Sequence, residues 1–203
     1  MEILRDKAIM LRVRNPKQIT TAIPNSKELP MNKVVVKWGL DEVLSLRSLN
    51  INAPSPITKR YSWPGQYTPF DHQKDTASFM TLNKKSFCFN EQGTGKTASA
   101  IWAADYLMTQ GKVKRVLVVC PLSIMDSAWR NDLFSFAMHR TVDVAHGSKQ
   151  KRKKIINSGA EFVIINYDGV EVVRDEIAAG GFDLFIVDEA THYKNAQTKR
   201  WKT

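Results

Sequence analysis

Cysteine is nearly absent: Cys88 and Cys120 are the two in 203 residues. So few thiols, with no secretory signal, argue against a disulfide framework and against a zinc site built on cysteines. Both lie in apolar, strand-like runs and read as plain buried thiols. Long hydrophobic runs are missing too. None exceeds about five residues, the length of Val116–Cys120, against roughly 18 for a membrane span. No membrane association is expected. The sequence does not open on the apolar core of a signal peptide, which points to an intracellular protein. The expected location is the cytoplasm or nucleoid of a bacterial or phage-infected cell, with the nucleus as the alternative. His72, His139 and His146 show no metal-ligand spacing. Internal repeats are absent as well.

What is there reads as an ordinary globular protein, 43% hydrophobic and 25% charged. The formal charge is +10, and such an excess favours a polyanionic partner, nucleic acid first. Residues 1–52 read as a small basic unit. Lys7–Val13 and Lys33–Trp38 are strand-like, and Gly39–Ile51 has helical spacing. Two strands and a helix bury little alone. Residues 53–66 hold Pro54, Pro56, Pro64 and Gly65, with Pro69 close behind, and read as a linker or rigid surface loop. Residues 67–203 alternate short apolar runs with helical stretches. Helices are expected at Phe70–Leu82, Thr97–Gln110 and Ile124–Ala137, and strands at Ser86–Asn90, Arg115–Cys120, Thr141–Ala145, Phe162–Asn166 and Leu184–Asp188. That alternation predicts an α/β fold with a parallel sheet covered by helices.

Two segments carry chemistry. Asn90-Glu91-Gln92-Gly93-Thr94-Gly95-Lys96-Thr97 follows a predicted strand and opens a predicted helix, the context of a phosphate-binding loop. Gly93 and Gly95 let the backbone of Gln92–Thr97 come close to phosphate, and the helix N-terminus adds positive potential. Lys96 would reach the β- and γ-phosphates of ATP, and Thr97 would offer its hydroxyl to Mg²⁺. The second segment is Phe185-Ile186-Val187-Asp188-Glu189-Ala190, an apolar strand ending in two carboxylates. Ligands of parallel sheets bind at the carboxyl ends of strands. Asp188 is placed to hold Mg²⁺, usually through water, and Glu189 to polarise the attacking water.

These residues resemble a superfamily 2 helicase or translocase, most of all the Swi/Snf type of DNA-dependent ATPase. That family's phosphate loop usually reads Asp-Glu-Met-Gly-Leu-Gly-Lys-Thr, similar here at Glu91, Gly93, Gly95, Lys96 and Thr97. Its acidic box reads Asp-Glu-Ala-His, two variable residues, then Lys-Asn. Here it is Asp188-Glu189-Ala190-Thr191-His192-Tyr193-Lys194-Asn195. Three further segments fall in family order. Thr68–Gln73 resembles the upstream box whose glutamine, here Gln73, reads adenine. Val118–Ser123, with Trp129 six residues on, and Ile164–Tyr167 resemble segments that touch the DNA backbone.

The resemblance implies a RecA-like ATP-binding lobe over residues 67–203. It implies ATP and Mg²⁺ as cofactors and duplex DNA bound without sequence preference. Pro121, Leu122, Ser123, Asn166 and Tyr167 are the implied DNA contacts. Lys149–Lys154, five basic residues in six, adds Lys149, Lys151 and Arg152 as phosphate-tracking candidates, with a localisation signal or a solvated helix start as other readings. Trp129 reads as helix core rather than a DNA contact. Thr191 stands where the family usually has His, which bears on coupling rather than on metal chemistry. The sequence stops at Thr203, before the third motif and the second RecA-like lobe with its arginine fingers. The expectation is therefore part of a motor, binding Mg-ATP and hydrolysing it very slowly alone. Two alternatives stay open: a restriction-type or strand-separating superfamily 2 helicase, and a nucleotide-binding regulatory or interaction module that never hydrolyses ATP.

Overall fold

The computed structural model describes residues 1–189, so the acidic-box residues Ala190–Asn195 lie outside the described residues. The chain divides into two units. One comprises Met1–Ser62 with Lys74–Cys88, the other Trp63–Gln73 with the chain from Phe89 onward.

The first unit is built on a four-stranded antiparallel sheet rather than on two strands. Its strands are β1 (Glu2–Leu4), β2 (Ala8–Arg12), β3 (Lys27–Leu29) and β4 (Lys33–Lys37), in the order β1-β2-β4-β3. Ile9 and Leu11 of β2, and Val34 and Val36 of β4, are buried and alternate with more exposed neighbours, the period-two pattern of a half-buried sheet. They pack with Ile19 of α1 (Pro16–Ala22) and with Val43 and Leu46 of α2 (Leu40–Ser48). Asp41 and Glu42 sit in the first turn of α2 and Arg47 in its last, matching the helix dipole.

The first part of the proline-rich stretch is buried. Ala53, Ser55 and Ile57 are buried, and Ile57–Arg60 forms the short helix α3. The Trp38 indole donates to the Pro54 carbonyl at 2.9 Å, and the Ser55 and Thr81 hydroxyls pair at 2.9 Å. Buried polar groups need such partners, which is why this irregular backbone can leave the surface. Thr81 belongs to α4 (Asp71–Leu82), within which the division between the units falls.

The second unit holds the parallel sheet. Its strands β5 (Val116–Cys120), β6 (Val142–Ala145), β7 (Phe162–Asn166) and β8 (Leu184–Val187) are ordered β6-β7-β5-β8. Every pairing is parallel. All of β5 and β7 is buried, as expected for strands covered on both faces. Helices α5 (Lys96–Thr109), α6 (Asn131–Phe136), α7 (Lys149–Ile156), α8 (Tyr167–Val172) and α9 (Arg174–Ala179) complete the unit. The helix expected over Ile124–Ala137 is three pieces: a 3₁₀ turn at Leu122–Ile124, a π-helical stretch at Met125–Arg130, then α6.

One expected strand is absent. Ser86–Asn90 is not in a ladder, and Phe87 and Phe89 are 74% and 89% exposed. A two-aromatic alternation becomes a strand only where a neighbouring backbone takes up its hydrogen bonds.

A buried ionic cluster ties α5 to the amino end of the sheet. The Asp105 carboxylate of α5 is 1% exposed, and it accepts from Arg140 Nε at 2.5 Å and lies 2.8 Å from His139 Nε2. Arg140 also donates to Glu161 at 2.7 Å, and Glu161 accepts from the Thr141 N–H at 2.9 Å. Burial acts to raise the Glu161 carboxyl, but the Thr141 N–H and the Arg140 guanidinium outweigh it and hold the group below its usual range. Its stabilising contribution is therefore full above the unfolded carboxylate pKa, about 4.3, and is lost as pH falls below that. Asp105→Ala leaves Arg140 without its buried partner and is expected to cost about 3 kcal/mol. Urea unfolding followed by circular dichroism would read this, and an unchanged midpoint would mean the cluster is structurally idle.

Candidate ATP and DNA site

The phosphate-loop segment lies on the second unit and ends in a helix N-terminus. Gly93 and Gly95 have φ of +80° and +74°, a region glycine enters without steric cost. Gly95 is the residue before α5, so Lys96 and Thr97 are its first helical residues. The first turn of a helix presents N–H groups without intrahelical acceptors, together with the positive end of the dipole. Within the loop, Thr94 Oγ1 donates to the Glu91 carbonyl at 2.8 Å. Lys96 Nζ donates to the carbonyls of Asn90 and Glu91, both at 2.9 Å, which places the ammonium across the loop. Gln92 lies in the exposed turn between them.

Gln73 reaches this loop. Its Nε2 donates to the Thr94 carbonyl at 3.4 Å while its Oε1 accepts from the Phe70 N–H at 2.9 Å. A side chain on Gly95 would collide with the Gln73 amide. Glycine is thus required there twice, for its backbone conformation and for the approach of Gln73. His72 Nε2 stands 3.1 Å from the same Thr94 carbonyl.

The remaining candidates gather through topology. In a parallel sheet all strand ends of one kind share an edge. The carboxyl edge here carries Pro121–Ser123 after β5, Gly147–Lys149 after β6, Asn166–Tyr167 after β7 and Asp188–Glu189 after β8. Asp188 is firmly held. Its N–H donates to the Val119 carbonyl at 2.9 Å, extending the β5–β8 ladder by one step. Its Oδ1 accepts from the Glu189 N–H at 2.9 Å and its Oδ2 from the Trp129 indole at 2.9 Å. The Tyr167 hydroxyl donates to its carbonyl. Glu189 has φ of +53°, a backbone strain of the kind that collects at functional sites. The Cys120 thiol beneath the pair is pushed up to about 12, first by burial and then by the charges of Asp188 and Glu189.

The DNA-facing candidates divide. Leu122, Ser123, Lys149 and Lys151 are exposed, and Ser148 caps α7 by accepting from the Lys151 N–H at 3.3 Å. Pro121 is half-buried. Arg152 corrects the expectation. It is 8% exposed, and its guanidinium donates to the Ala145 carbonyl at 2.5 Å, to Gly147 at 3.0 Å and to Asn166 Oδ1 at 2.9 Å. A guanidinium committed to three protein oxygens ties β6 to β7 rather than tracking a phosphate. Asn166 and Tyr167 are 7% and 6% exposed, and their side chains are bonded to Arg152 and to the Asp188 carbonyl. The Trp129 contact to Asp188 is one that sequence reasoning misses, since an apolar helical position carries no sign of where its N–H points.

Comparison with known proteins agrees with this geometry. Residues 72–203 match the SNF2-related domain. The chain is 26% identical over 140 residues to the uncharacterized ATP-dependent helicase YqhH of Bacillus subtilis, covering 67% of this chain and 24% of that protein. It is 28% identical over 115 residues to the ISWI chromatin-remodeling complex ATPase ISW2 of Saccharomyces cerevisiae, covering 54% and 10%. Among solved structures, the Sulfolobus solfataricus SWI2/SNF2 ATPase core in complex with dsDNA aligns with a TM-score of 0.59 at 27% identity, over 69% of this chain and 30% of that one. The Sulfolobus solfataricus SWI2/SNF2 ATPase core domain aligns at 0.57 and 26%, over 71% and 31%. The chain thus spans about a quarter to a third of these relatives' ATPase-bearing chains, and a tenth of the yeast protein. A glycine-bearing turn opening α5, a carboxylate pair following β8 and a match over residues 72–203 place the chain in the SNF2-related domain family, with a RecA-like fold.

Proposed function

We propose that this chain is the nucleotide-binding lobe of an ATP-driven motor that moves on duplex DNA. The observation that carries the reading is the carboxyl edge of the parallel sheet. There the Asp188 carboxylate is fixed on both oxygens beside segments that expose backbone and hydroxyl groups. The loop Gly93–Thr97 opens α5 in the same unit.

The residues fit a magnesium nucleotide. Asp188 and Thr97 offer hard oxygen donors, which Mg²⁺ prefers. Among the described residues no cluster of three or more His, Cys, Asp or Glu could hold a metal, and Mg²⁺ bound chiefly through nucleotide phosphates and water requires none. Held there by Thr97 and Asp188, Mg²⁺ would supply positive charge against the charge of the phosphates. The protein supplies the rest. Backbone N–H groups of Gln92–Thr97 hold the phosphates and Lys96 neutralises the β- and γ-oxygens. The Gln73 amide stands beside Thr94 for the adenine edge. Glu189 takes the proton of the attacking water.

DNA would lie along the exposed carboxyl-edge segments, where Ser123 and the backbone after β5 and β7 contact phosphates, and Lys149 and Lys151 track the strand. Such contacts position a duplex and carry no sequence code. A second RecA-like lobe is the partner the cleft requires, because an arginine supplied across it contributes on the order of 10³–10⁵ in rate.

Three outcomes test the reading. Lys96→Ala is expected to weaken binding of a fluorescent ATP analogue at least about 10-fold, the worth of a charge-assisted hydrogen bond; fluorescence anisotropy reads it. Phosphate release by residues 1–203 alone is expected to stay far below roughly 1 s⁻¹ in Mg-ATP, if the rate-giving arginine comes from a second lobe; turnover at that level would reject the need for that lobe. Lys149→Glu with Lys151→Glu is expected to weaken duplex binding equally across sequences. It should also flatten the plot of log affinity against log salt by about 2, near 0.9 per phosphate contact; a salt-independent affinity would reject the DNA track.

A further inference from the structure

Trp129 sits in the π-helical stretch Met125–Arg130 and is 1% exposed. Its ring would be explained by packing alone. Its N–H is not. A buried indole N–H must find an acceptor, and the acceptor here is Asp188 Oδ2 at 2.9 Å, 59 residues away in sequence. The other oxygen of that carboxylate accepts from the Glu189 N–H at 2.9 Å. The Tyr167 hydroxyl holds the Asp188 carbonyl. A carboxylate has about four lone-pair sites. With one taken on each oxygen, its plane is fixed and the remaining lone pairs are aimed.

We infer that Trp129 is a positioning residue that orients the Asp188 carboxylate for a nucleotide-bound divalent cation. This rests on the reading of Asp188 as the metal-binding carboxylate. The indole N–H acts on the metal only through Asp188. π-Helical turns insert one residue into a helix and recur at functional sites, and this one places the ring over the end of β8. Partners of ligating carboxylates typically control metal affinity by 10–100-fold.

The test separates the metal-linked part of nucleotide affinity from the rest. A methylanthraniloyl ATP is titrated into the full chain with Mg²⁺ and with EDTA, for wild type, Trp129→Phe, Asp188→Asn and the double variant. Trp129→Phe keeps a ring and removes the donor. Its affinity in EDTA is expected to stay within about 2-fold of wild type. The gain on adding Mg²⁺ is expected to fall about 10-fold. In the double variant, Trp129→Phe should add nothing to Asp188→Asn, because the two act through one carboxylate. Trp129→Leu is made in parallel, so that the comparison uses whichever variant unfolds cooperatively. If Asp188→Asn loses the Mg²⁺ gain while Trp129→Phe keeps it, Trp129 is core alone and the inference is overturned. If Asp188→Asn also keeps the gain, Asp188 is not the metal carboxylate, and the inference falls together with the reading beneath it.

Discussion

The parallel ladder on β5 is the constraint on which the rest of the nucleotide-binding unit depends. β5 pairs with β7 on one side and β8 on the other, in register from Val116. Because both partners run the same way, their carboxyl ends share one edge, and whatever follows each strand is delivered there. Five buried residues, Val116–Cys120, are what β5 contributes to the core. Their backbone sets the height of Asn166 beside Cys120 and lets the Asp188 N–H reach Val119. The carboxyl edge is thus set by backbone hydrogen bonds made beneath it, and side-chain contacts such as Trp129 to Asp188 act on top of that frame.

The ends of the sheet are secured differently. At the amino end, Arg115 donates to the carbonyls of Ala160 at 3.0 Å and Ile156 at 2.9 Å, and its guanidinium stacks 4.4 Å from the Phe182 ring. Asp183 accepts from the Lys114 and Arg115 N–H groups, each at 3.0 Å. Together with the Asp105 cluster these are charged groups satisfied inward, at the end of the sheet remote from the proposed chemistry. At the carboxyl end the polar groups are Asp188, which is half-buried, and Glu189, Ser123 and Lys149, which are exposed. The division matches the rule that ligands of open parallel sheets sit beyond the carboxyl ends of strands.

Much of this unit was legible because its signals are local. Phe162–Ile165 is an apolar run, and the strand expected at Phe162–Asn166 is β7 to the residue; the glycines of the phosphate loop and the acidic pair stand at element ends where pattern and chemistry coincide. The failures are equally physical. β1 and β3 are three residues each. Their turns pass through positive φ at Arg5, Asp6, Met31 and Asn32, none of them glycine, so the usual turn signature is missing. Proline content points to a linker or rigid surface loop at 53–66, and no local signal shows that Ser55 has a buried partner in Thr81. The basic run Lys149–Lys154 hides one inward residue, Arg152, because a helix face is set by what packs against it and not by charge. Trp129 and Asp105 owe their roles to partners 59 and 35 or fewer residues away, information that no periodicity carries.

The π-helical stretch at Met125–Arg130 makes the aim of Trp129 a matter of residue count as well as residue type. An α-helix turns about 100° per residue. A π-turn takes up one residue more than an α-turn, so deleting one residue from the stretch would let the flanking turns keep their phase while the residues inside it move by one position against their neighbours. The indole would keep its identity and lose its address. This segment therefore tolerates substitution on its exposed face far better than a change in length, and an insertion or deletion here would uncouple the loop after β5 from the end of β8 without altering either one.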